Sequence, residues 1–273
     1  MLKRNPTVAF FTVATNKYLY YWERMFQSYI DKSFLNVDTH FHVFTDDSFR
    51  ARGIVGKYEN EFTHFHIHEI QNYIWPEATL LRYEIIANEL KYIDCDVAIH
   101  IDADMLFVSN RFYDFLDVLG EPGIILVEHP GFYFKFKYLL RCHPLISIRY
   151  LLKYFKNVLL SGGFGSWESN KESTSYAPRK LRKTYYCGAL WIGTKNKFLD
   201  LCTELALCTS EDLRRGIVAI HNDESHLNRW ALNNIFHTLT PAYCYEESYR
   251  HLENLQPILL AVNKKKNEVE NLD

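Results

Sequence analysis

Two carboxylates one residue apart stand at the end of an apolar run in Ile99–Phe107, IHIDADMLF. Side chains of an extended segment alternate with period 2, so Asp102 and Asp104 project roughly the same way. Paired carboxylate oxygens suit a hard divalent cation, and a diphosphate can supply the rest of its shell. An acidic turn after a strand has the same spacing, although here apolar residues bracket the pair closely. A second candidate is Asn222–Trp230, NDESHLNRW, where Asp223 can cap a helix and Glu224 sits in the first turn, favoured there by the helix dipole. From that helix start Glu224, His226 and Asn228 are expected to reach a cleft; ordinary capping with solvated polar residues gives the same pattern. A zinc-protease reading fails, because H-E-x-x-H needs histidines four apart and His221 and His226 are five apart. In His129–Tyr133, HPGFY, the Pro130-Gly131 bend lets His129 and Phe132 line a sugar site by hydrogen bonding and stacking, or else forms a plain loop.

These groups need elements to hold them. Thr7–Ala14, Thr39–Thr45, Phe62–Ile70, Asp96–Ile101, Gly123–Val127 and Tyr185–Ile192 read as strands, being short, apolar and rich in β-branched and aromatic residues. Apolar residues at helical spacing predict helices over Tyr18–Ile30, Glu77–Lys91, Lys197–Cys208 and Asp223–Asn233. The alternation predicts an α/β fold with a mainly parallel sheet, whose ligands sit beyond the carboxyl ends of the strands. Asp102 and Asp104 fall where such an end should be. With no internal repeat and no long linker, 1–273 reads as a single domain with a basic amphipathic insertion at about 134–166 and a basic tail from 263, where Lys264, Lys265 and Lys266 stand in a row.

Composition narrows the function classes. Of 273 residues 48% are hydrophobic, which excludes disorder, and a net charge of −2 gives no reason to expect a nucleic-acid partner. Cys95, Cys142, Cys187, Cys202, Cys208 and Cys244 are scattered without a C-x-x-C pair, against a structural zinc site or a disulfide framework. No run approaches the ~18 apolar residues of a membrane span, and no leader is recognisable, so a cytoplasmic location is expected. One stretch departs from neutrality: Phe134–Leu160 carries Lys135, Lys137, Arg141, Arg149, Lys153 and Lys156 and no acid. Its apolar stripe of Leu145, Ile148, Leu152, Phe155 and Leu159 predicts either a helix on an anionic membrane surface or a packed surface helix.

Taken in order, these motifs resemble glycosyltransferase family 6, the family of the histo-blood-group A and B transferases and α-1,3-galactosyltransferases, over roughly Thr7 to Lys266. Ala14-Thr15-Asn16-Lys17-Tyr18 is similar to the family's first nucleotide-binding turn, with the tyrosine on uracil. Val43–Asp46 matches V-F-T-D, and Trp75 and Arg82 match a tryptophan and an arginine near the donor. Asp102–Asp104 matches D-x-D, His129–Tyr133 matches H-P-G-F-Y, and Asp223–Asn228 matches D-E-S-H-L-N. The resemblance implies a GT-A fold with a Rossmann-like sheet and helices on both faces, a UDP-sugar donor and retention of anomeric configuration. It implies that Asp102 and Asp104 hold Mn²⁺ or another divalent cation against the diphosphate, and that Lys264 closes over it. It makes Glu224 the carboxylate beneath the anomeric carbon, acting through a transient covalent bond or by stabilising an oxocarbenium-like ion. Asp223 joins the donor residues. In Cys187-Gly188-Ala189 the alanine accompanies galactose in blood-group-type members, where glycine leaves room for an N-acetyl group.

Three departures bear on the acceptor. His221-Asn222 replaces the usual W-H, the stretch between Tyr133 and Ser173 is longer than in relatives, and Glu246 stands in altered surroundings where an acidic acceptor contact is found. His129, Phe132, His221 and Glu246 are the expected acceptor residues. The expectation is a bacterial or phage-type, Mn-dependent retaining α-1,3-galactosyltransferase acting on a glycan or glycolipid acceptor, with peripheral contact to the inner membrane face through 134–160. The alternatives are an enzyme using UDP-GalNAc and, more distantly, a glycoside hydrolase or a non-catalytic glycan-binding module.

Overall fold

The computed structural model describes residues 6–32, 34, 37–56, 58, 60–73, 75–135 and 143–263. Seven strands form the main sheet in the order β3-β2-β1-β4-β7-β6-β8: β1 Val8–Val13, β2 Thr39–Thr45, β3 Thr63–Glu69, β4 Val97–Ile101, β6 Ile124–Glu128, β7 Tyr186–Thr194 and β8 His237–Leu239. Neighbours run parallel except where β7 lies antiparallel between β4 and β6. A two-stranded sheet joins β5 (Met105–Phe107), directly after the two aspartates, to β9 (Leu259–Ala261) near the end of the described chain.

Strand alternation divides the core between the two faces. Val8 and Phe10 of β1 face α1 (Tyr18–Asp31) and α2 (Ser48–Val55), packing with Trp22, Met25 and Phe26. Ala9 and Phe11 face the other way, toward α4 (Arg82–Leu90) and α6 (Lys195–Arg214), with Tyr83, Phe198 and Leu201. Helices thus cover both faces of a mostly parallel sheet, the architecture the resemblance implies.

Two expectations about elements change. The predicted helix Glu77–Lys91 is broken at Leu81 into α3 (Glu77–Leu80) and α4, where Arg82 turns its side chain inward. The basic stripe does form a helix, α5 (Pro144–Ser161), capped by Gly162 in the left-handed region at φ 74°. Packing, however, uses its opposite face. Tyr150, Leu151, Tyr154 and Val158 meet Phe132, Phe134 and Phe164, whereas Leu145, Ile148, Leu152, Phe155 and Leu159 remain exposed, Leu159 by 76%.

Candidate active site

The loop between β1 and α1 begins the site. Asn16 adopts φ 55°, a left-handed conformation asparagine tolerates, and its N–H donates to Asp46 Oδ1 at 2.8 Å. Its side-chain amide pairs with Asn72 at 2.7 and 3.2 Å. Together these contacts tie the β1 loop to the segments after β2 and β3. Thr15, Asn16, Tyr18, Tyr73 and Trp75 line a cavity of about 770 Å³ together with Arg82, Asp102 and Asp104. Ala14 is fully buried below this loop, its N–H donating to Phe44 O.

A second cavity, of about 290 Å³, adjoins the first and shares Trp75, Thr79, Arg82 and Asp102 with it. Cys187, Gly188, Ala189, His221, Asp223 and Glu224 line the remainder. One buried cation joins the two. Arg82 Nη1 donates to Asp102 Oδ1 at 2.9 Å and lies 3.3 Å from Asp223 Oδ2. Burial opposes its charge, but Asp223 and Asp102 outweigh this and raise its pKa. His100 completes the cluster, with Nε2 3.0 Å from Arg82 Nη1 and 3.3 Å from Asp102 Oδ1. Its ring stacks on Trp191 at 4.4 Å, and burial pushes its pKa down to about 4, so it stays neutral at pH 7.

Glu224 opens α7 (Asn222–Ala231), and its Oε2 accepts the Gly188 N–H at 2.8 Å. Burial raises its pKa to about 7, against that hydrogen bond, which favours the charged form. Asp223 is raised to about 6, again by burial, with Arg82 opposing. The approach is close at Gly188, where a Cβ would lie 3.1 Å from Glu224 Cβ and Glu224 would have to give by a few tenths of an ångström. Asn228, one turn further on, exchanges two hydrogen bonds with the Tyr186 backbone, at 2.8 and 2.9 Å, pinning α7 to β7. Glu168 accepts the Ile220 N–H at 2.7 Å and holds the entry to the helix.

The expectation that Glu224, His226 and Asn228 all reach the cleft does not hold. Of Glu224, His226 and Asn228, only Glu224 lines the cavity. His226 is buried, its Nε2 3.8 Å from Asp212 Oδ2, and Asn228 is buried on the strand, because helical period turns these residues inward.

The remaining expected residues are distributed as follows. His221 precedes α7, lines the second cavity and meets the Ser166 hydroxyl through Nε2. His129 Nδ1 accepts the Gly131 N–H at 2.9 Å, and its pKa falls to about 4 through burial. Phe132 packs edge-on against Tyr185 and Phe164, with the Lys153 ammonium 5.0 Å from its ring centre. Lys153 also donates to Gly131 O at 2.9 Å, joining α5 to the H-P-G-F-Y turn. Neither His129 nor Phe132 lines the two cavities. Glu246 also lies outside both, accepting from the Ser248 hydroxyl. Lys264 falls outside the described residues; the described chain approaches it along β9, with Val262 N–H donating to Asp104 O at 2.9 Å.

The sequence reading missed Asn72, Thr79 and His100. Only His100 carried a signal, alternating onto the face of Asp102 in I-H-I-D. Asn72 lies in an irregular segment after β3 that no periodicity describes, and Thr79 is on α3, where the helical spacing of the apolar residues leaves a polar one unmarked.

Comparison with known proteins adds to this geometry. Residues 161–271 match the model of glycosyltransferase family 6, a span that includes Gly188, Asp223 and Glu224. The chain is 24% identical over 241 residues to the O-antigen biosynthesis glycosyltransferase WbnI of Escherichia coli, covering 88% of each protein. It is 23% identical over 254 residues to histo-blood group ABO system transferase 2 of Rattus norvegicus, covering 89% of this chain and 65% of that one. With transferase 1 of the same organism it shares 26% over 188 residues, 65% of this chain and 44% of the relative.

Proposed function

We propose that the chain is a hexosyltransferase of glycosyltransferase family 6, a reading supported by the family match over residues 161–271 and by the glycosyltransferase relatives, and that it moves galactose from UDP-galactose to a glycan acceptor in α-1,3 linkage, with retention of configuration and with the help of Mn²⁺. The observation that carries this reading is the pair of adjoining cavities joined by Arg82 and Asp102. The larger suits a nucleoside diphosphate in volume and lining, with Tyr18 for the base and two carboxylates among its lining residues. The smaller suits the sugar, with Glu224 held against the Gly188 backbone.

Asp102 and Asp104 offer two hard oxygen donors on one turn of the same cavity, and this fits a divalent cation completed by the diphosphate. When bound, the cation supplies Lewis-acid stabilisation of the departing diphosphate. Arg82 orients Asp102 and fixes one positive charge beside the diphosphate position. Glu224, deprotonated, presents negative charge to the anomeric carbon as the bond to UDP loosens, either bonding to it transiently or stabilising the ion. Ala189, beside Gly188, crowds the space an N-acetyl group at C2 would need. One methyl group discriminates by about 1–3 kcal/mol, so UDP-galactose is preferred over UDP-N-acetylgalactosamine by about 10- to 200-fold.

The acceptor is a lipid-linked precursor reached at an anionic membrane surface through α5. The exposed stripe of that helix, the exposed Arg149 and Lys156 beside it, and the Lys153 contact to the H-P-G-F-Y turn support this reading. Among the described residues no helix is long and apolar enough to cross a membrane. The test is product analysis. With UDP-galactose, Mn²⁺ and a screen of glycan and lipid-linked acceptors, the expected product carries an α-linked galactose by NMR. A β-linked product, or transfer favouring UDP-N-acetylgalactosamine, overturns the corresponding part.

A further inference from the structure

Strands β2 and β3 carry five of the twelve histidines, and none of the five lines the cavities described above. Alternation turns Phe41, Val43, Phe65 and Ile67 toward one core face and puts His40, His42, His64, His66 and His68 on the other. Parallel register sets His40 beside His64. Asp38, just before β2, places Oδ1 3.2 Å from His40 Nε2 and 3.6 Å from His64 Nε2. The Thr7 hydroxyl donates to the other oxygen, Oδ2, at 3.1 Å, and His40 Nδ1 lies 2.9 Å from His66 Nε2. All three side chains are partly exposed, and their nearest ligand atoms lie within 4.8 Å of one another.

We propose that Asp38, His40 and His64 form a second cation site, for a borderline divalent ion of the zinc type. Ligand chemistry argues for it: two imidazoles and a carboxylate suit Zn²⁺, whereas the aspartate pair in the donor cavity suits harder ions. Spacing agrees. Bonds of about 2.0–2.1 Å in a tetrahedral array separate neighbouring ligand atoms by roughly 3.3–3.4 Å, and the observed 3.2 and 3.6 Å bracket that value. Water takes the fourth position. The outer contacts also agree. Thr7 anchors the carboxylate, and His66 accepts from His40 Nδ1–H once the metal takes Nε2, which fixes tautomer and ring direction.

Position separates this site from the donor chemistry. It lies at the amino ends of β2 and β3, whereas the donor cavity lies beyond the carboxyl ends of β1 and β4. His40 and the carboxyl end of β2 are about 17 Å apart along an extended strand. The ion therefore acts as a clip, fastening the β3 edge to β2 and to the segment entering β1.

The test uses the full chain carrying Asp102→Asn and Asp104→Asn, stripped of metal and equilibrated with Zn²⁺, with bound metal measured by atomic absorption. One equivalent is expected, together with a rise in Tm. His64→Gln or Asp38→Asn, each added to that background and checked for folding by circular dichroism, weakens binding at least tenfold; His68→Gln leaves it unchanged. Co²⁺ shows the intense visible absorption of a four-coordinate site, lost in the same two variants. Absence of stoichiometric Zn²⁺ in the folded chain overturns the proposal, as does binding that survives both His64→Gln and Asp38→Asn. Because the donor aspartates are removed throughout, neither outcome bears on the transferase reading.

Discussion

Glu224 shows how an ordinary carboxylate is tuned by its setting. Burial raises its pKa to about 7, and the Gly188 N–H limits the rise. The role proposed for it requires the charged form, so kcat/KM is expected to increase with pH through an ionisation near 7, measured from the initial rate of UDP release. A rate independent of pH between 5 and 8 contradicts that role. The sign is reversed for stability. The folded chain binds this proton more tightly than the unfolded chain, so the contribution of Glu224 to stability falls as pH rises from about 4.5 to about 7. Replacing Gly188 by Ala puts a methyl group 3.1 Å from Glu224 Cβ and displaces the carboxylate. A kcat loss of about tenfold or more is expected, with little change in UDP affinity. Steady-state kinetics and a UDP titration separate the two effects.

Helix α7 is positioned by a buried residue that lines neither cavity. Asn228→Ala removes two hydrogen bonds to the Tyr186 backbone and leaves a buried N–H and C=O without their partner. The expected cost is about 2–3 kcal/mol in chemical denaturation. D-E-S-H-L-N could be read from sequence as a helix start, yet the division of labour within it could not. Period 3.6 sends Glu224 to the cleft and His226 and Asn228 to the interior, and which face meets β7 depends on tertiary contacts. The stripe on α5 shows the same limit in reverse: periodicity predicted the helix, whereas only the structure shows that Tyr150 and Tyr154 supply its packed face. Each basic residue near an anionic surface contributes about 1 kcal/mol. The chain is therefore expected to float with anionic vesicles, and Arg149→Glu with Lys156→Glu is expected to reduce the bound fraction at least tenfold. Lys153 is left intact in this variant because it holds the Gly131 carbonyl. Binding to neutral and anionic vesicles alike, or to neither, contradicts the membrane contact.

For the whole molecule, the strand-helix alternation was enough to anticipate the α/β sheet and the carboxyl-end location of Asp102. The insertion of β7 antiparallel between β4 and β6 was not readable, because antiparallel pairing is a choice of partner and leaves no mark on a buried apolar run. That insertion brings Gly188 and Ala189 beside Asp102, whose N–H donates to Ala189 O at 2.9 Å, and so joins the two cavities. The joined cavities make one claim that can be checked directly, by calorimetric titration of UDP into the chain with and without Mn²⁺. Metal-dependent UDP binding, weakened at least tenfold in Asp102→Asn, is the result predicted. No UDP binding in the presence of Mn²⁺ would contradict the transferase reading.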